Sequence, residues 1–434
     1  MATAAVSPAA TPAPKSNRGK EQIQWSDEVW KALDQAVTDE MMRTRQVAKF
    51  LPLVYVEKRR TTVESDVVII PSPPTARQQA ANVPFDASLS VDETQTNRIE
   101  EYFTTFRLSV AQVEAEEHRE TQMAASLPSA PVANGQGTMS RPHRAGTAIS
   151  LALRCANFLA EAEDLILLNG ENAAVNAPLF TGQQVQALVG TNLPADLDFG
   201  LLNIQSVLGP ATPPFPSGTP TSNVITLPPT QVIAVHPVPP SSTTTPSFPF
   251  LYRENTLDAV AQGVAALQGN GHYENYALVL HTYPYADLHQ ALPTTLIEPV
   301  EPVSHLVKAG IYGTGAMPPF TPVTSDTPGT PQPVSSGLPT QIAGSSGPVS
   351  IAGNTQIIGQ PIASNANVLY TGVLVSLSGN TMDLVRGLLD DSLDAMVTFN
   401  QKDQNEQYRF RVFQRFALRL KDPTAVILFL FLDS

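Results

Sequence analysis

The chain has 434 residues, a net charge of −13, only 15% charged residues and 39 prolines. The acidic balance argues against an outer surface built to bind nucleic acid. The single Cys155 excludes an intrachain disulfide framework and fits a reducing compartment. The longest apolar run, residues 425–432, is too short to span a bilayer as a helix. A soluble, cytoplasmic protein of about two to four domains is expected.

Residues 1–24 are small, Pro-dotted and basic at their end, and read as a flexible arm. Trp25-Ser26-Asp27-Glu28 then opens a helix, with Ser26 as N-cap and Trp25 stapled onto Trp30. Trp30, Leu33, Val37 and Met41 form its apolar stripe, and Pro52 ends the segment. Strand signals fill residues 53–75, and another run covers Ile99–Leu108. The pair reads as a long two-stranded excursion with no evident partner in its own chain. Because a lone hairpin is marginal in water, a neighbouring subunit is the expected partner.

Leu108-Ser109-Val110-Ala111-Gln112-Val113 has the form of a capping box, with Leu108 and Val113 as the accompanying staple. A short acidic helix to about Met123 and a Pro/Gly/Ser loop at 127–142 follow. The strongest signal is residues 145–170, where Ile149, Ala152, Leu153, Ala156, Leu159, Ala160, Ile166 and Leu167 recur at helical spacing. A helix of that length runs about 35–39 Å, the span of a domain, and Asn169-Gly170 supplies its stop. Glu161, Glu163 and Asp164 crowd its last turns, where the helix dipole prefers cations. They are either a solvated acidic face or the partners of basic groups elsewhere, a neighbouring subunit included. Cys155, mid-helix, reads as a packed side chain rather than a nucleophile.

Residues 199–252 and 327–382 contain no Lys, Arg, Asp or Glu and are rich in proline. They are either disordered linkers or ordered Pro-rich β insertions; Val224-Ile225, Val232-Ile233-Ala234-Val235 and Ile357-Ile358 are their β-like patches. Between them lie a helix through Leu257, Val260, Val264 and Leu267, a Gly269-Asn270-Gly271 stop, a buried strand at Tyr276–Leu280 and a short helix at Tyr285–Ala291. Near the end, Tyr408, Phe410, Val412, Phe416, Leu418 and Leu420 alternate with Arg409, Arg411, Arg415 and Arg419, and only Gln414 breaks the pattern. The arginines face either carboxylates of a neighbouring subunit or solvent. Asp422-Pro423 turns into a buried strand at Ala425–Leu432.

Chemical motifs are missing. His272, His281, His289 and His305 share one segment, but not at metal-binding spacing. There is no phosphate-binding glycine motif and no nucleophile elbow. No catalytic residue, cofactor or metal site is assigned, and a non-enzymatic role is expected.

Three collinear blocks resemble the linocin-type encapsulin shell proteins, which share the tailed-phage major capsid fold. The first is Phe106-Arg107-Leu108-Ser109 with the long helix that ends Ala162-Glu163-Asp164-Leu165-Ile166-Leu167-Leu168-Asn169-Gly170. The second runs from Leu267-Gln268-Gly269-Asn270-Gly271 to Tyr276-Ala277-Leu278-Val279-Leu280, with Glu274-Asn275 where that family often has Gly-Pro. The third runs from Leu377-Ser378 through Asp383-Leu384 to the closing strands with Phe416, Pro423 and Ala425. Val29-Trp30-Lys31-Ala32-Leu33-Asp34 is also similar to the family's N-terminal helix.

The resemblance implies an α+β, Hong-Kong-97-type capsid fold with Pro-rich β insertions. The arm (1–24) and N-terminal helix (25–53) would precede an E-loop (54–106) and a P-domain with the spine helix (107–174). An A-domain (175–365) and the P-domain's C-terminal strands (366–434) would follow. It further implies self-assembly into an icosahedral nanocompartment enclosing a cargo enzyme, ferritin-like or a peroxidase, with no membrane partner. Leu33, Val37 and Met41 would lie near a cargo-docking groove, with core packing of the helix as the other reading. Arg409, Arg411, Arg415, Glu163 and Asp164 are candidate assembly contacts. The alternative is a phage or prophage major capsid protein packaging DNA, to which the short arm is less suited. A third class is a monomeric hydrolase or binding protein with Pro-rich linkers.

Overall fold

In the computed structural model, the described residues are Ile23, Trp25, 27–57, 60–69, 90–115, 146–174, 177–187, 200–202, 232–238, 251–292, 296–317, 322–323, 332–333, 368–377, 381–389, 395–402 and 407–432. Of the expected arm only Ile23 is described, buried in the core; the end of the expected acidic helix (116–123), the 127–142 loop, Ser26, and the Val224-Ile225 and Ile357-Ile358 patches lie outside the described residues. Helices and strands are both abundant, so the architecture is α+β as expected.

The helices are α1 (Asp27–Thr44), α2 (Thr147–Asn169), α3 (Arg253–Gly269), α4 (Thr282–Leu288) and α5 (Val300–Leu306). Strands β1 (Leu53–Val56), β2 (Thr62–Ile69), β3 (Ser90–Arg98), β4 (Glu100–Ser109) and β5 (Gln186–Ala187) come first. Then follow β6 (Val232–Val235), β7 (Tyr276–His281), β8 (Gly310–Thr314), β9 (Pro322–Val323) and β10 (Gln332–Pro333). The last five are β11 (Val368–Ser376), β12 (Met382–Gly387), β13 (Ala395–Lys402), β14 (Gln407–Leu420) and β15 (Val426–Leu432).

Two sheets carry the fold. In the first, β14 is long enough to pair with β13 over its first half and β12 over its second, with β4 along its other edge. β1 joins β12 in parallel, and β5 closes the far side. The second sheet has the order β6-β15-β11-β7-β8. There β7 and β8 are parallel, so the chain must cross over between them, and α4 and α5 provide that crossing. The patch Val232-Ile233-Ala234-Val235 is β6, parallel to β15, so this part of the first Pro-rich stretch is built into the sheet.

Both faces of the second sheet are covered, which explains why its strands lack a polar alternation. Along β15, Val426, Leu428, Leu430 and Leu432 join the core around α2, while Ile427, Phe429 and Phe431 join the core under α3. Strand β7 splits in the same way: Ala277 and Val279 face one core, Leu278 and Leu280 the other. The core of the first sheet therefore runs without interruption beneath the second, with α2 along it. The ring stack Trp25–Phe410–Phe106 fills the α1 end, at centroid spacings of 5.2 and 4.9 Å. Trp25 also meets Trp30 at 5.3 Å, as the staple required.

The chain crosses between the sheets twice, and the crossings lie side by side. The first runs from β11 to β12 through Thr381, the second from β14 to β15 through Asp422. The Thr381 carbonyl accepts from Lys421 N at 2.8 Å and Asp422 N at 2.9 Å. Strands β11 and β15 belong to the sheet of β7 and β8, whereas β12, β13 and β14 join β1, β4 and β5 in the other sheet.

Other expectations fare differently. Ser109 and Gln112 exchange the capping-box bonds at 2.9 and 3.3 Å. The short helix expected at 285–291 begins three residues earlier, because the His281 side chain caps it by accepting from Tyr283 N. The two runs expected to form one excursion do not pair with each other: Ile99–Leu108 is β4, which pairs with β14 of the same chain, and β2 pairs with β3, a strand the sequence pattern does not mark. The β2–β3 hairpin has contacts within its own chain at its base. Val63 and Ile99 pack on Val385 and Ala417, and Asn97 donates to the Leu418 carbonyl at 2.5 Å.

Glycine positions on α3 test this packing. A Cβ on Gly263 would lie 3.0 Å from Leu374 and 3.1 Å from Phe429, whereas one on Gly269 meets nothing within 4 Å. Gly263→Val should lose about 1–3 kcal/mol by overpacking. Gly269→Ala should be neutral or slightly stabilising. Urea denaturation of the two variants checks the contrast.

Candidate functional site

The C-terminal half of α2 is where the units meet, and its chemistry is polar inside an apolar shell. Glu163 and Asp164 are 0% and 4% exposed. Glu163 pairs with Arg386 of β12, itself fully buried. Asp164 accepts from Gln46 N at 2.9 Å and Val47 N at 2.9 Å, holding the short turn Val47–Lys49 that follows α1. Two adjacent side chains thus tie α2 to two different elements. A solvated acidic face is incorrect for these residues; of the three acids only Glu161 is exposed. The partners of Glu163 and Asp164 lie in the same chain.

The last carbonyls of α2 are satisfied from remote segments. Leu201 N donates to Leu167 O at 2.9 Å and Leu202 N to Leu168 O at 2.8 Å. The Asn169 amide reaches the Ala316 carbonyl at 3.0 Å. Gly170, at φ +80°, lets the chain leave the helix here. A buried helix end needs such donors, which explains why an acid-rich terminus is tolerated without a basic residue in the last turn.

The arginine row on β14 is half-buried and engaged within the chain. Arg411 pairs with Glu101 at 2.6 Å and lies 3.9 Å from the Phe103 ring centroid. Arg415 donates to the Arg60 carbonyl at 2.8 Å, and Arg409 reaches Thr105 at 3.5 Å. Arg419 forms a two-point pair with Asp383, at 2.8 and 2.6 Å. Gln414, the residue that breaks the alternation, faces inward and donates to the Leu159 carbonyl of α2 at 3.0 Å.

Leu33, Val37 and Met41 are fully buried under α1. Their side chains belong to the core cluster, the arrangement of the core-packing reading. Asp34 on the same helix accepts from Val397 N at 2.9 Å and fixes α1 to β13.

At the crossing between sheets, His272 reaches Thr424 at 3.0 Å and Asp422 at 3.5 Å, and Asn270 donates to the Thr424 carbonyl at 3.3 Å. These bonds join the end of α3 to the β14–β15 turn, and sequence spacing gave no sign of them. His281 stacks on Tyr370 at 4.8 Å, and burial lowers its pKa to about 4, so it stays neutral. Asp287 accepts from Tyr252 N at 2.5 Å and Arg253 N at 2.7 Å, capping α3 from the neighbouring helix. Among the described residues, no group of three or more His, Cys, Asp or Glu is placed to hold a metal ion. No described helix is long and apolar enough to cross a membrane.

Residues 240–331, the segment that contains α3, β7, α4, α5 and β8, match the family described as "encapsulating protein for peroxidase". No curated protein matches the sequence. Among solved structures, the chain is similar to a virus-like particle from Pyrococcus furiosus, at 12% identity and a TM-score of 0.42 over 93% of this chain and 99% of that one. It is similar to a protein of Mycobacterium phage Ogopogo at 13% identity, TM-score 0.41, over 89% and 92% of the two chains. The holo-SrpI encapsulin complex from Synechococcus elongatus PCC 7942 follows at 11% identity, TM-score 0.37, over 89% and 88%. The family match contains the second of the three blocks whose resemblance to encapsulins the sequence displayed.

Cys155 closes the site. It is buried in α2, accepts from Thr104 at 3.9 Å, and burial raises its pKa to about 11. A thiol so protected should not react with a thiol-specific reagent at pH 8 in the native protein and should react fully in denaturant. Rapid native labelling would contradict this packing.

Proposed function

We propose that this chain is a self-assembling shell protein of an encapsulin-like, icosahedral nanocompartment that encloses a cargo enzyme. The observation that carries the reading is the match of residues 240–331 to the encapsulating-protein family. That segment is the α3–β8 body of the second sheet, a substantial structural unit rather than an isolated motif.

The physics of the subunit supports the same reading. Three elements extend from a well-packed centre. Near its base the β2–β3 hairpin is anchored by Val63, Asn97 and Ile99, and Arg419 donates to the Glu64 carbonyl at 3.3 Å. The short strand β1 lies at a sheet edge with Leu53 and Tyr55 exposed. The loop before α5 carries Leu296, 81% exposed at φ +57°, beside Ile297. Exposed large apolar side chains on projecting elements are what contacts between copies would cover. Heterologous contacts that close on themselves then yield a finite shell.

In this reading the half-buried row Arg409, Arg411 and Arg415 offers charge to a neighbouring copy, while Glu163 and Asp164 hold the subunit together. Cargo, a peroxidase or a ferritin-like protein, docks on the inner wall at positions other than the core residues Leu33, Val37 and Met41. The role is structural, with no reaction assigned to the chain, and the compartment is cytoplasmic.

Electron microscopy of the purified full chain, with sedimentation and analysis of the particle contents, tests the proposal. Uniform hollow particles containing protein and little nucleic acid are expected. Particles filled with DNA would favour the phage capsid reading. A species sedimenting as a monomer at every concentration would contradict both.

A further inference from the structure

Two of the surfaces that expose large apolar side chains are chemically matched. The first is the tip between α4 and α5. Leu296 and Ile297 are exposed there, and Leu296 has φ +57°, a left-handed conformation that leucine rarely adopts. Leu296 N donates to the Leu292 carbonyl at 2.8 Å and Leu292 N to the Ile297 carbonyl at 3.0 Å, so the loop closes on itself. Glu298 and Glu301 follow, both exposed and neither in an ion pair among the described residues.

The second surface is the end of α1 with β1, where Met42, Leu53 and Tyr55 are exposed. Lys49 Nζ donates to the Arg43 carbonyl and to Gln46 Oε1, both at 3.2 Å, which folds the Val47–Lys49 turn back onto the last turn of α1. Lys49 is exposed, and among the described residues no carboxylate lies at ion-pair distance from it. One surface is thus apolar and acidic, the other apolar and basic. The exposed rings of Tyr273 and Tyr283 fit neither role: Tyr273 adjoins Glu274, and Tyr283 already stacks on His281 at 5.5 Å.

The matched surfaces lie towards opposite faces of the second sheet. Phe50, next to Lys49, packs on Tyr312 of β8 at 5.1 Å, on the side of the core around α2. Leu288 of α4 and Val303 of α5, which flank the tip, belong to the core under α3. Within one copy the sheet therefore stands between them, whereas a second copy can bring its tip to the α1–β1 surface.

We propose that the Leu296–Ile297 tip of one copy docks on the Met42–Leu53–Tyr55 surface of the next, with Glu298 and Glu301 facing Lys49. The inference deepens the shell reading and rests on it. Because the two surfaces differ, the contact is heterologous: every copy gives a tip and receives one, as closure of a ring or shell requires. These five apolar side chains do not by themselves supply the about 1,000 Å² of buried surface that a stable pair of proteins needs. The contact is weak singly and effective through repetition.

Cysteine cross-linking in the full chain tests the contact, since Cys155 is buried in α2 and stays out of the reaction. Leu296→Cys and Leu53→Cys chains carrying different tags are co-expressed, and the purified particles are treated with a short bis-maleimide. Covalent dimers that join one chain of each kind are expected, whereas either variant alone should give none. Dimers in Leu296→Cys alone would mean that tips meet tips and would overturn the proposal, as would particles of normal form with no mixed dimer. Both outcomes leave the shell reading standing, whereas a wild-type chain that sediments as a monomer at every concentration removes the two together. Charge reversal decides if the cysteine variants fail to fold. Lys49→Glu and Glu298→Lys should each raise the protein concentration at half-assembly by at least about threefold, and the two changes in one chain should restore it. Unchanged assembly in the single variants, or no recovery in the double variant, would contradict the contact.

Discussion

The buried pair Glu163–Arg386 is the interaction on which the rest of this fold depends. Removing two charges from water costs several kcal/mol per ion, and the pair is favourable only if the geometry holds. Here it joins the spine helix α2 to β12, the first strand after the chain leaves the second sheet. Asp164, the next residue, fixes α1. Neighbouring acids on one helical turn therefore set the positions of the N-terminal helix and the first sheet together. Apolar packing drives the collapse, but it is not directional. The paired acids define the register in which the helix lies across the strands.

That register matters because the core is continuous. Residues of α2 pack with β4, β14, β7, β11 and β15 in one cluster, so both sheets rest on the same helix. The two chain crossings at Thr381 and Asp422 stitch the sheets at one point, and His272 ties α3 to that point. The centre is rigidly specified, whereas the β2–β3 hairpin is held by its base.

Much of this architecture was legible in the sequence wherever the signal was local. The capping box of Ser109 and Gln112, the staple of Trp25 on Trp30, the α2 periodicity and the β14 alternation all depend on residues close in the chain. The single break in the alternation, Gln414, marked the place where β14 reaches a helix carbonyl. What escaped notice depended on distance along the chain. Glu163 and Arg386 are 223 residues apart, and Asp164 and Val47 are 117 apart. A run of acids at a helix end resembles a solvated face until the partners are seen. The buried stripe of Leu33, Val37 and Met41 had the opposite ambiguity, since the same periodicity serves a core or a groove. Strand β15 was recognised, but a uniformly apolar run does not say which sheet it enters.

A double-mutant cycle on Glu163 and Arg386 tests the central claim most directly. Equilibrium unfolding of Glu163→Gln, Arg386→Met and the double variant gives the coupling between them. Each single change should cost about 3–5 kcal/mol by leaving a charge buried without its partner. The double variant should cost less than the sum by more than about 1 kcal/mol. Single variants near wild-type stability, or a double variant equal to the sum, would contradict the claim that this pair anchors the spine helix.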